Sequence, residues 1–445
     1  MGILSGSRTA RPCFGSPPIR IRAKPAAVER NDSSSCALYW ISDKTSPCAC
    51  SGRKAEASED RKMSDTYLDR TKLPLGVASF ENIRRRGRIY VDKTDLIWRL
   101  TQSSNYVFFA RPRRFGKSLL VDTLATLFGK GIAEFAGLKI EKLWQDTTYP
   151  VVRLDFSVLQ YAGTAEDFSK RLLEHLLLAM RSAGLRLPDR PLARAAELLE
   201  AVLRDQPAAS VVFLIDEVDA PLTAKMDDPD AASALQAELA SFFSALEAGS
   251  AALRFLFATG ITKSPTLFST VSSLTDLSLS PMLSGLLGFS REDIDRCFRP
   301  FVENAARMHG MRPDALLDAV MDYYGGWCFD EQASRQAASP WAVLSFLAYP
   351  DNGLWPFWSE SAGGGRCLAD FLRSRGLLRR QVQDAGATVD LPRLEAAQEA
   401  EDLDPVVLLA RAGYLTIRDV EGTRVRLGVP NGDVRDGMSA MFEAC

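Results

Sequence analysis

Short apolar runs and longer segments with helical spacing alternate through the middle of the chain. The helical segments carry an apolar residue at every third or fourth position, and the apolar runs are short enough to be buried strands. Strands that alternate with helices form a parallel sheet covered on both faces, so the pattern predicts an α/β core. The predicted strands are Asn105–Ala110, Tyr149–Ser157, Val211–Pro221 and Leu253–Lys263, and the predicted helices are Lys117–Phe128, Ala165–Met180, Arg194–Leu203 and Ala232–Leu246.

From Ser290 onward the strand pattern stops and the spacing is mainly helical. Ser290 followed by Asp293 is a helix-start signal. A helix at Val406–Tyr414 and a hairpin around Glu421 and Gly422 predict a small C-terminal α/β module. We therefore divide the chain into a core over 70–285, a helical domain over 286–360 and a C-terminal module over 361–445.

Residues 1–62 differ in texture from the rest of the chain. They carry arginine, serine, proline and cysteine without apolar periodicity, and we predict a disordered leader. An organelle transit peptide and a start assigned upstream of Met63 are both left open.

Composition excludes several classes of protein. The formal net charge of -2 argues against a nucleic-acid coat over the whole surface. The chain has only 2 histidines, so a zinc-based or histidine-based hydrolase is not expected. No apolar run approaches the roughly 18 residues of a membrane span, so no membrane association is predicted. The 8 scattered cysteines fit a reducing compartment, which predicts an intracellular, cytoplasmic protein unless residues 1–62 direct it to an organelle.

The stretch RPRRFGKSLL lies between a predicted strand and a predicted helix, the position of a phosphate-binding loop. Gly116 allows the main chain to approach a phosphate, Lys117 can reach the outer phosphates, and Ser118 can bind magnesium. Arg111 replaces the glycine that usually opens such a loop, and Pro112 fixes one backbone dihedral angle there instead. The alternative is a basic surface turn before a helix. The residues expected to contact a triphosphate are Arg111, Pro112, Arg113, Arg114, Phe115, Gly116, Lys117, Ser118 and Leu119.

Two carboxylates after the apolar run Val211–Ile215 decide between these alternatives. Asp216 can hold Mg²⁺ through water, and Glu217 can act as the base that activates an attacking water. The loop and the acid pair each follow a strand, in the right order, and together predict a nucleoside-triphosphate site with Mg²⁺ at Ser118 and Asp216. The fold class is then α/β, a three-layer P-loop NTPase core with a parallel sheet, followed by a helical lid domain and a C-terminal α/β module.

The strand Tyr149–Ser157 lies between the two motifs in the sequence. We therefore expect the sheet to insert a strand between the phosphate loop and the acid pair, which is typical of ATPases that carry a catalytic glutamate. The strand that ends at Lys263 should place a polar group near the outer phosphate, with Thr259 or Thr262 as the candidate. We assign Thr259 to this role, and predict Lys117 and Glu217 as the other catalytic residues.

These motifs resemble those of the AAA-ATPase-like family, P-loop ATPases that are often fused to a nuclease of the PD-(D/E)XK type. The matching motifs are YVDKT at Tyr90–Thr94, RPRRFGKSL at Arg111–Leu119, FLIDEVDAP at Phe213–Pro221, TGITK at Thr259–Lys263, YYGGWCF at Tyr323–Phe329, SPWAVLSFL at Ser339–Leu347, GYLTI at Gly413–Ile417 and VPNGDV at Val429–Val434.

The resemblance implies ATP as the ligand and an arginine at position 111 as a habit of the family. It also implies that the YVDKT segment lies beside the nucleotide, which makes Asp92 a candidate nucleotide contact. In the family a nuclease usually follows the motif at Asn431. We expect it to be absent, because the sequence ends at Cys445, and we carry over no DNA cleavage.

The sequence thus predicts an ATP-binding, Mg²⁺-dependent ATPase that couples hydrolysis to motion of the helical domain. Two other functions stay open. One is a nucleotide-dependent switch or scaffold with little turnover. The other is the ATPase subunit of a nucleic-acid-processing system, in which Arg84–Arg88 would contact phosphates. A protein or nucleic-acid partner and an oligomeric assembly are likewise left open.

Overall fold

The computed structural model describes residues 68–226, 228–361, 387–398 and 404–443. The predicted leader over 1–62 lies outside these residues. In the part of the chain that the structure describes, no helix is both long enough and apolar enough to cross a lipid bilayer.

The centre of the fold is a parallel sheet with the strand order β2-β3-β4-β1-β5. The α/β fold predicted from the sequence is confirmed. Parallel strands end at the same edge of a sheet, so the loop after β1 and the acids after β3 lie at one edge. The strands are β1 (Tyr106–Ala110), β2 (Val151–Asp155), β3 (Val211–Asp216), β4 (Leu253–Gly260) and β5 (Thr275–Asp276).

One strand separates the phosphate-loop strand from the acid-pair strand, but it is not the one between them in the sequence. β4 pairs with β1 on one side and with β3 on the other, whereas β2 pairs with β3. The chain therefore returns across the sheet after β3. Sequence order alone could not fix this, because helical crossovers let consecutive strands occupy non-adjacent places.

Helices cover both faces of the sheet. Successive strand residues point to opposite faces, so Phe108 and Phe213 belong to one hydrophobic cluster, and Phe109 and Leu214 to another. The helices of this part are α1 (Phe80–Arg85), α2 (Thr94–Ser103), α3 (Lys117–Lys130), α4 (Ala165–Ser182), α5 (Ala195–Leu203), α6 (Ala220–Thr223), α7 (Pro229–Ala248) and α8 (Pro265–Thr270). Residues of α4, α5 and α7 fill the first cluster, and residues of α2 and α3 fill the second.

The following elements are mainly helical. The first helix starts with a capping box, in which the Ser290 hydroxyl accepts from the Asp293 N–H at 3.1 Å and the Ser290 N–H donates to the Asp293 carboxylate at 3.1 Å. The helices are α9 (Arg291–Met308), α10 (Pro313–Tyr324), α11 (Pro340–Ala348), α12 (Phe357–Ser361), α13 (Leu391–Glu395), α14 (Pro405–Ala412) and α15 (Gly432–Glu443), and the strands are β6 (Trp327–Cys328), β7 (Gln336–Ala337), β8 (Ala387–Asp390), β9 (Thr416–Glu421) and β10 (Arg424–Gly428).

The predicted hairpin around Glu421 and Gly422 is confirmed by the antiparallel pairing of β9 with β10. A single hydrophobic cluster contains Trp327, Trp358 and Tyr414, and thus joins the elements before residue 361 to those after 387. Phe115 of the phosphate loop belongs to the same cluster. The C-terminal elements therefore pack directly against the loop.

Candidate functional site

We call the elements from α9 to α12, between Arg291 and Ser361, the helical part of the chain. A cavity of about 600 Å³ opens where the phosphate loop meets this helical part. Small-molecule sites commonly have volumes of roughly 300 to 1,000 Å³. Residues 113–120 of the loop and Glu217 line the cavity, together with the segment Pro74–Ala78 and with Trp341 from the start of α11. The charged residues of the loop and Glu217 thus face the same space as an apolar wall.

The phosphate loop has backbone angles that its sequence helps to explain. Gly116 has a φ of 97°, in the left-handed region that glycine adopts without steric cost. Arg114 also lies there, with a φ of 67°, which is unfavourable for a residue with a side chain. Helix α3 begins at Lys117, so its unpaired first N–H groups are at the cavity wall. The loop can therefore present main-chain donors to an anion.

The Lys117 side chain is buried at the base of the loop. Its Nζ donates to the carbonyl of Pro112 at 3.2 Å. Burial lowers the pKa of Lys117, while the carboxylates of Glu217, Asp219 and Asp216 act in the opposite direction. The lysine and the acid pair therefore lie within electrostatic reach of one another.

The acid pair lies at the end of β3, close to the first turn of α3. Asp216 is buried and is hydrogen-bonded to Ser118, and burial raises the pKa of the Asp216 carboxyl. Glu217 has a φ of 49°, and its N–H donates to Asp216 Oδ1 at 3.0 Å. Burial also raises the pKa of Glu217, against the attraction of Lys117. The structure thus brings together Lys117, Ser118, Asp216 and Glu217.

Trp358 and Gly413, which both lie late in the chain, support the main chain of the loop. The carbonyl of Arg113 accepts a hydrogen bond of 3.0 Å from Trp358 Nε1. Pro112 packs so tightly on Gly413 that a Cβ at that glycine would lie 2.7 Å from the Pro112 Cβ. Gly413 has a φ of 91° and could not carry a side chain without strain. The loop conformation therefore depends on residues far away in the sequence.

Two aromatic contacts complete this support. Phe115 points away from solvent and meets Trp327 and Phe329 edge to face, with ring centroids 5.1 Å apart in both pairs. The Arg114 guanidinium lies over the Trp341 ring at 4.5 Å, while both residues also line the cavity. Leu119 lines the cavity as well.

Arg111 was expected to contact the triphosphate, but its side chain is engaged elsewhere. The guanidinium lies between the rings of Phe109 and Phe329, at 4.2 and 4.6 Å from their centroids. Its Nη1 donates to the carbonyls of Ala110 and Ser278. Arg111 lines a smaller, separate cavity. It therefore supports the start of the loop, and its side chain does not line the larger cavity.

The side chains of Asp92 and Thr259 are likewise engaged in hydrogen bonds elsewhere. The Asp92 carboxylate accepts from the N–H and hydroxyl of Thr94 and from the Lys139 N–H, so it fixes the start of α2. The Thr259 hydroxyl is buried and donates to the carbonyl of Phe109 at 2.6 Å, which ties β4 to β1. Both groups serve the main chain, and other residues of the YVDKT segment, Tyr90, Val91 and Lys93, line the cavity instead.

No motif or spacing in the sequence pointed to a specific role for Lys93. Its Nζ forms an ion pair with Asp293 at 3.0 Å and donates to the carbonyls of Gly285 and Gly288. Asp293 belongs to the capping box of α9. Lys93 therefore joins the core to the helical part beside the cavity, a contact between residues about 200 positions apart that spacing along the chain cannot reveal.

These features define a P-loop NTPase, with a phosphate loop and an acid pair at one edge of a parallel sheet. The chain belongs to the predicted AAA-ATPase family. The family model "Predicted AAA-ATPase" matches residues 74–267. An uncharacterised protein from the 5′ region of vnfD in Azotobacter chroococcum mcd 1 is 30% identical over 386 residues, which cover 84% of this chain and 70% of that protein.

Two solved structures match this chain at 12% sequence identity. The Walker-type ATPase PABY2304 of Pyrococcus abyssi matches 78% of this chain and 94% of its own, with a TM-score of 0.39. Cdc6p of Pyrobaculum aerophilum matches 80% of this chain and 95% of its own, with a TM-score of 0.30.

Proposed function

We propose that this protein is a Mg²⁺-dependent ATP hydrolase. The observation that carries the proposal is that Lys117 and Glu217 line one cavity of about 600 Å³, with Asp216 hydrogen-bonded to Ser118 of the same wall. A basic surface turn would not place its lysine, buried, opposite two carboxylates at the end of a neighbouring strand. Membership of the predicted AAA-ATPase family supports the same reading.

The phosphate loop would bind the triphosphate. The first N–H groups of α3 and the main chain at Gly116 supply neutral donors, and Lys117 supplies the charge for the outer phosphates. Lys117 would exchange its hydrogen bond with the Pro112 carbonyl for a phosphate oxygen. Arg113 and Arg114 also line the cavity and add positive potential.

The donor set at Ser118 and Asp216 fits Mg²⁺. Mg²⁺ prefers oxygen ligands and is commonly held by one or two carboxylates together with water and phosphates. The hydroxyl and the carboxylate are already hydrogen-bonded to each other, so Ser118 and Asp216 would be the residues that hold the hydrated ion. When bound, the ion would neutralise charge on the phosphates.

Glu217 would act as the general base. Its carboxyl lines the cavity, and burial raises its pKa, which makes the carboxylate a better proton acceptor. The left-handed backbone at Glu217 is held by its N–H bond to Asp216 and by the Val218 N–H bond to the Thr259 carbonyl. The base is therefore fixed on a rigid turn and would take a proton from the attacking water.

The apolar wall would hold the base of the nucleotide. Leu75, Val77 and Ile89 face the cavity from the segments around α1, and Trp341 faces it from α11. A flat purine fits such a surface, and the family favours adenine. Residues of both the core and the helical part line this wall, so ATP bound here would contact both parts. This supports a coupling of hydrolysis to their relative motion.

The test is to measure ATP affinity and turnover for the unmodified chain, Lys117→Ala and Glu217→Gln. We expect Lys117→Ala to lose binding, and Glu217→Gln to keep binding but lose at least about a hundredfold in turnover. The exposed residues Lys170 and Glu200 offer matched controls, Lys170→Ala and Glu200→Gln, which should change neither quantity. Equal turnover in all variants would reject the proposal, and binding without turnover in the unmodified chain would favour a nucleotide-dependent switch.

A further inference from the structure

A second cavity, of about 70 Å³, lies where the start of the phosphate loop meets the C-terminal elements. Arg111 and Pro112 line it from the loop, Lys263 from the segment after β4, and Arg411 and Thr416 from α14 and β9. It is far too small for a nucleotide. Its wall is unusual because it contains three basic side chains.

Arg111 has one edge of its guanidinium without a partner. The residue is 2% exposed, and its Nη1 is used by the Ala110 and Ser278 carbonyls. Its Nε and Nη2 are buried and have no hydrogen-bond partner. These two N–H groups form the side of the fork with which arginine binds an oxyanion through two parallel hydrogen bonds.

Arg411 offers a further donor at the same cavity. Its Nη2 donates to the carbonyls of Leu394 and Ala396, while its Nη1 is buried without a partner. Burial lowers the pKa of Arg411 to about 10 and that of Arg111 to about 9. Both values reflect positive charge that is poorly compensated in the protein interior.

The neighbouring carboxylates are already engaged. Asp276 forms an ion pair with Lys263. The carboxylate of Asp330 accepts from the N–H groups of Gln332, Ser334 and Arg335. Among the residues that the structure describes, neither Arg111 nor Arg411 has an ion-pair partner within 4.0 Å. An unpaired buried charge is costly, so a counter-ion at this place would stabilise the fold.

We propose that this cavity binds one small tetrahedral oxyanion, of the phosphate or sulfate class, between the Nε–Nη2 edge of Arg111 and Nη1 of Arg411. About two water molecules would fill the same volume, but they would leave the two charges uncompensated. The anion would connect the phosphate loop to α14. The site is separate from the ATP cavity, and its occupancy does not depend on hydrolysis.

The first test is crystallographic and uses the unmodified full chain. Crystals grown with selenate should show an anomalous peak within hydrogen-bonding distance of both Arg111 and Arg411, in addition to any peak at the phosphate loop. Ordered water without anomalous signal in this cavity would overturn the proposal.

The second test asks whether binding occurs in solution. Thermal unfolding of the Lys117→Ala chain, in which the ATP cavity is weakened, is followed in sulfate and in sodium chloride of equal ionic strength. We expect a saturable rise in Tm of about 2 °C in sulfate at ten times the dissociation constant. The rise should vanish when Arg411→Met is added and persist with Arg393→Met, because Arg393 is an exposed arginine.

An equal rise with and without Arg411 would overturn the proposal. So would a selenate peak in the crystal without a saturable rise in Tm, since it would indicate an adventitious ion only. If Arg411→Met does not fold, the crystal of the unmodified chain and its sulfate titration decide between the outcomes.

Discussion

Asp219 lies so close to Gly260 that a side chain at Gly260 would displace it. A Cβ on Gly260 would overlap Asp219 Oδ1 and lie 2.9 Å from its Cγ. The buried Asp219 carboxylate accepts from the N–H groups of Ile261 and Thr262 and from the Thr262 hydroxyl at 3.0 Å. These hydrogen bonds connect the turn after Asp216 and Glu217 to the residues that follow β4. From the sequence, Thr262 is a candidate for contact with the outer phosphate, but in the structure its N–H and hydroxyl both donate to Asp219.

Gly260→Ala should destabilise the protein and slow ATP turnover. The methyl group would force the Asp219 carboxylate from its donors, and we expect a loss of about 1 to 3 kcal/mol in the free energy of unfolding. Urea denaturation measures the first effect and steady-state turnover the second. Gly163→Ala is the control, because a Cβ there meets nothing within 4 Å. If Gly260→Ala behaved like that control, the Asp219 contact would have no energetic weight.

Lys93→Met should cost much more stability than the loss of an exposed ion pair. The Lys93 and Asp293 side chains are only 16% and 11% exposed, so the variant leaves a largely buried carboxylate and two carbonyls without their partner. We expect a loss of about 3 kcal/mol in the free energy of unfolding. Arg171→Met, which breaks the exposed pair with Asp167, should leave the free energy of unfolding almost unchanged, because solvent screens that pair.

The Lys93–Asp293 pair also predicts a pH dependence. Burial raises the pKa of Asp293. The positive charge of Lys93 and the hydrogen bond from the Ser290 N–H lower the pKa by more than burial raises it, so the pKa is lowered overall. A lowered carboxyl pKa adds stability above the ordinary value of 3.8, and this stability is lost as the pH falls through the folded-state pKa. The stability difference between the unmodified chain and Lys93→Met should therefore shrink below about pH 4. A constant difference down to pH 2 would contradict the assigned ion pair.

Trp358→Phe should weaken ATP binding without changing a cavity residue. The variant removes the hydrogen bond from Trp358 Nε1 to the Arg113 carbonyl and leaves that carbonyl without its donor. If the binding conformation of the loop loses about 1 kcal/mol with this hydrogen bond, the dissociation constant for ATP should rise roughly fivefold. Trp355→Phe is the matched control, because that side chain is 43% exposed. Equal affinities in calorimetric titrations of both variants would show that Trp358 does not position the loop.

The predicted site residues that lie close together in the structure are those whose position follows from the end of a strand. Lys117, Asp216 and Glu217 follow β1 and β3, and any parallel sheet places them at one edge. The direction of a side chain is not fixed in this way. Thr259 follows the same rule, yet its hydroxyl turns to the Phe109 carbonyl.

Arg111 shows a second limit of predicting side-chain contacts from the sequence. Its guanidinium lies over the Phe329 ring, which is more than two hundred positions later in the chain, and does not line the larger cavity. Contacts of this kind depend on how the C-terminal elements pack on the core. No spacing or periodicity near position 111 carries that information.

The last prediction concerns the acid limb of the pH–rate profile. The general base must be ionised, and burial, with repulsion from Asp216 and Asp219, raises the pKa of Glu217 above its ordinary 4.5 despite the attraction of Lys117. Turnover should therefore fall as the pH decreases through a midpoint above 4.5, and Glu217→Gln should lose this limb from its residual rate. The pKa of Asp216 is raised as well, but a higher Mg²⁺ concentration should shift that titration to lower pH, because the cation competes with the proton. The acid limb should persist at saturating Mg²⁺ in the unmodified chain and disappear in Glu217→Gln, which would assign the base to Glu217. An unchanged acid limb in Glu217→Gln would assign the base to another group.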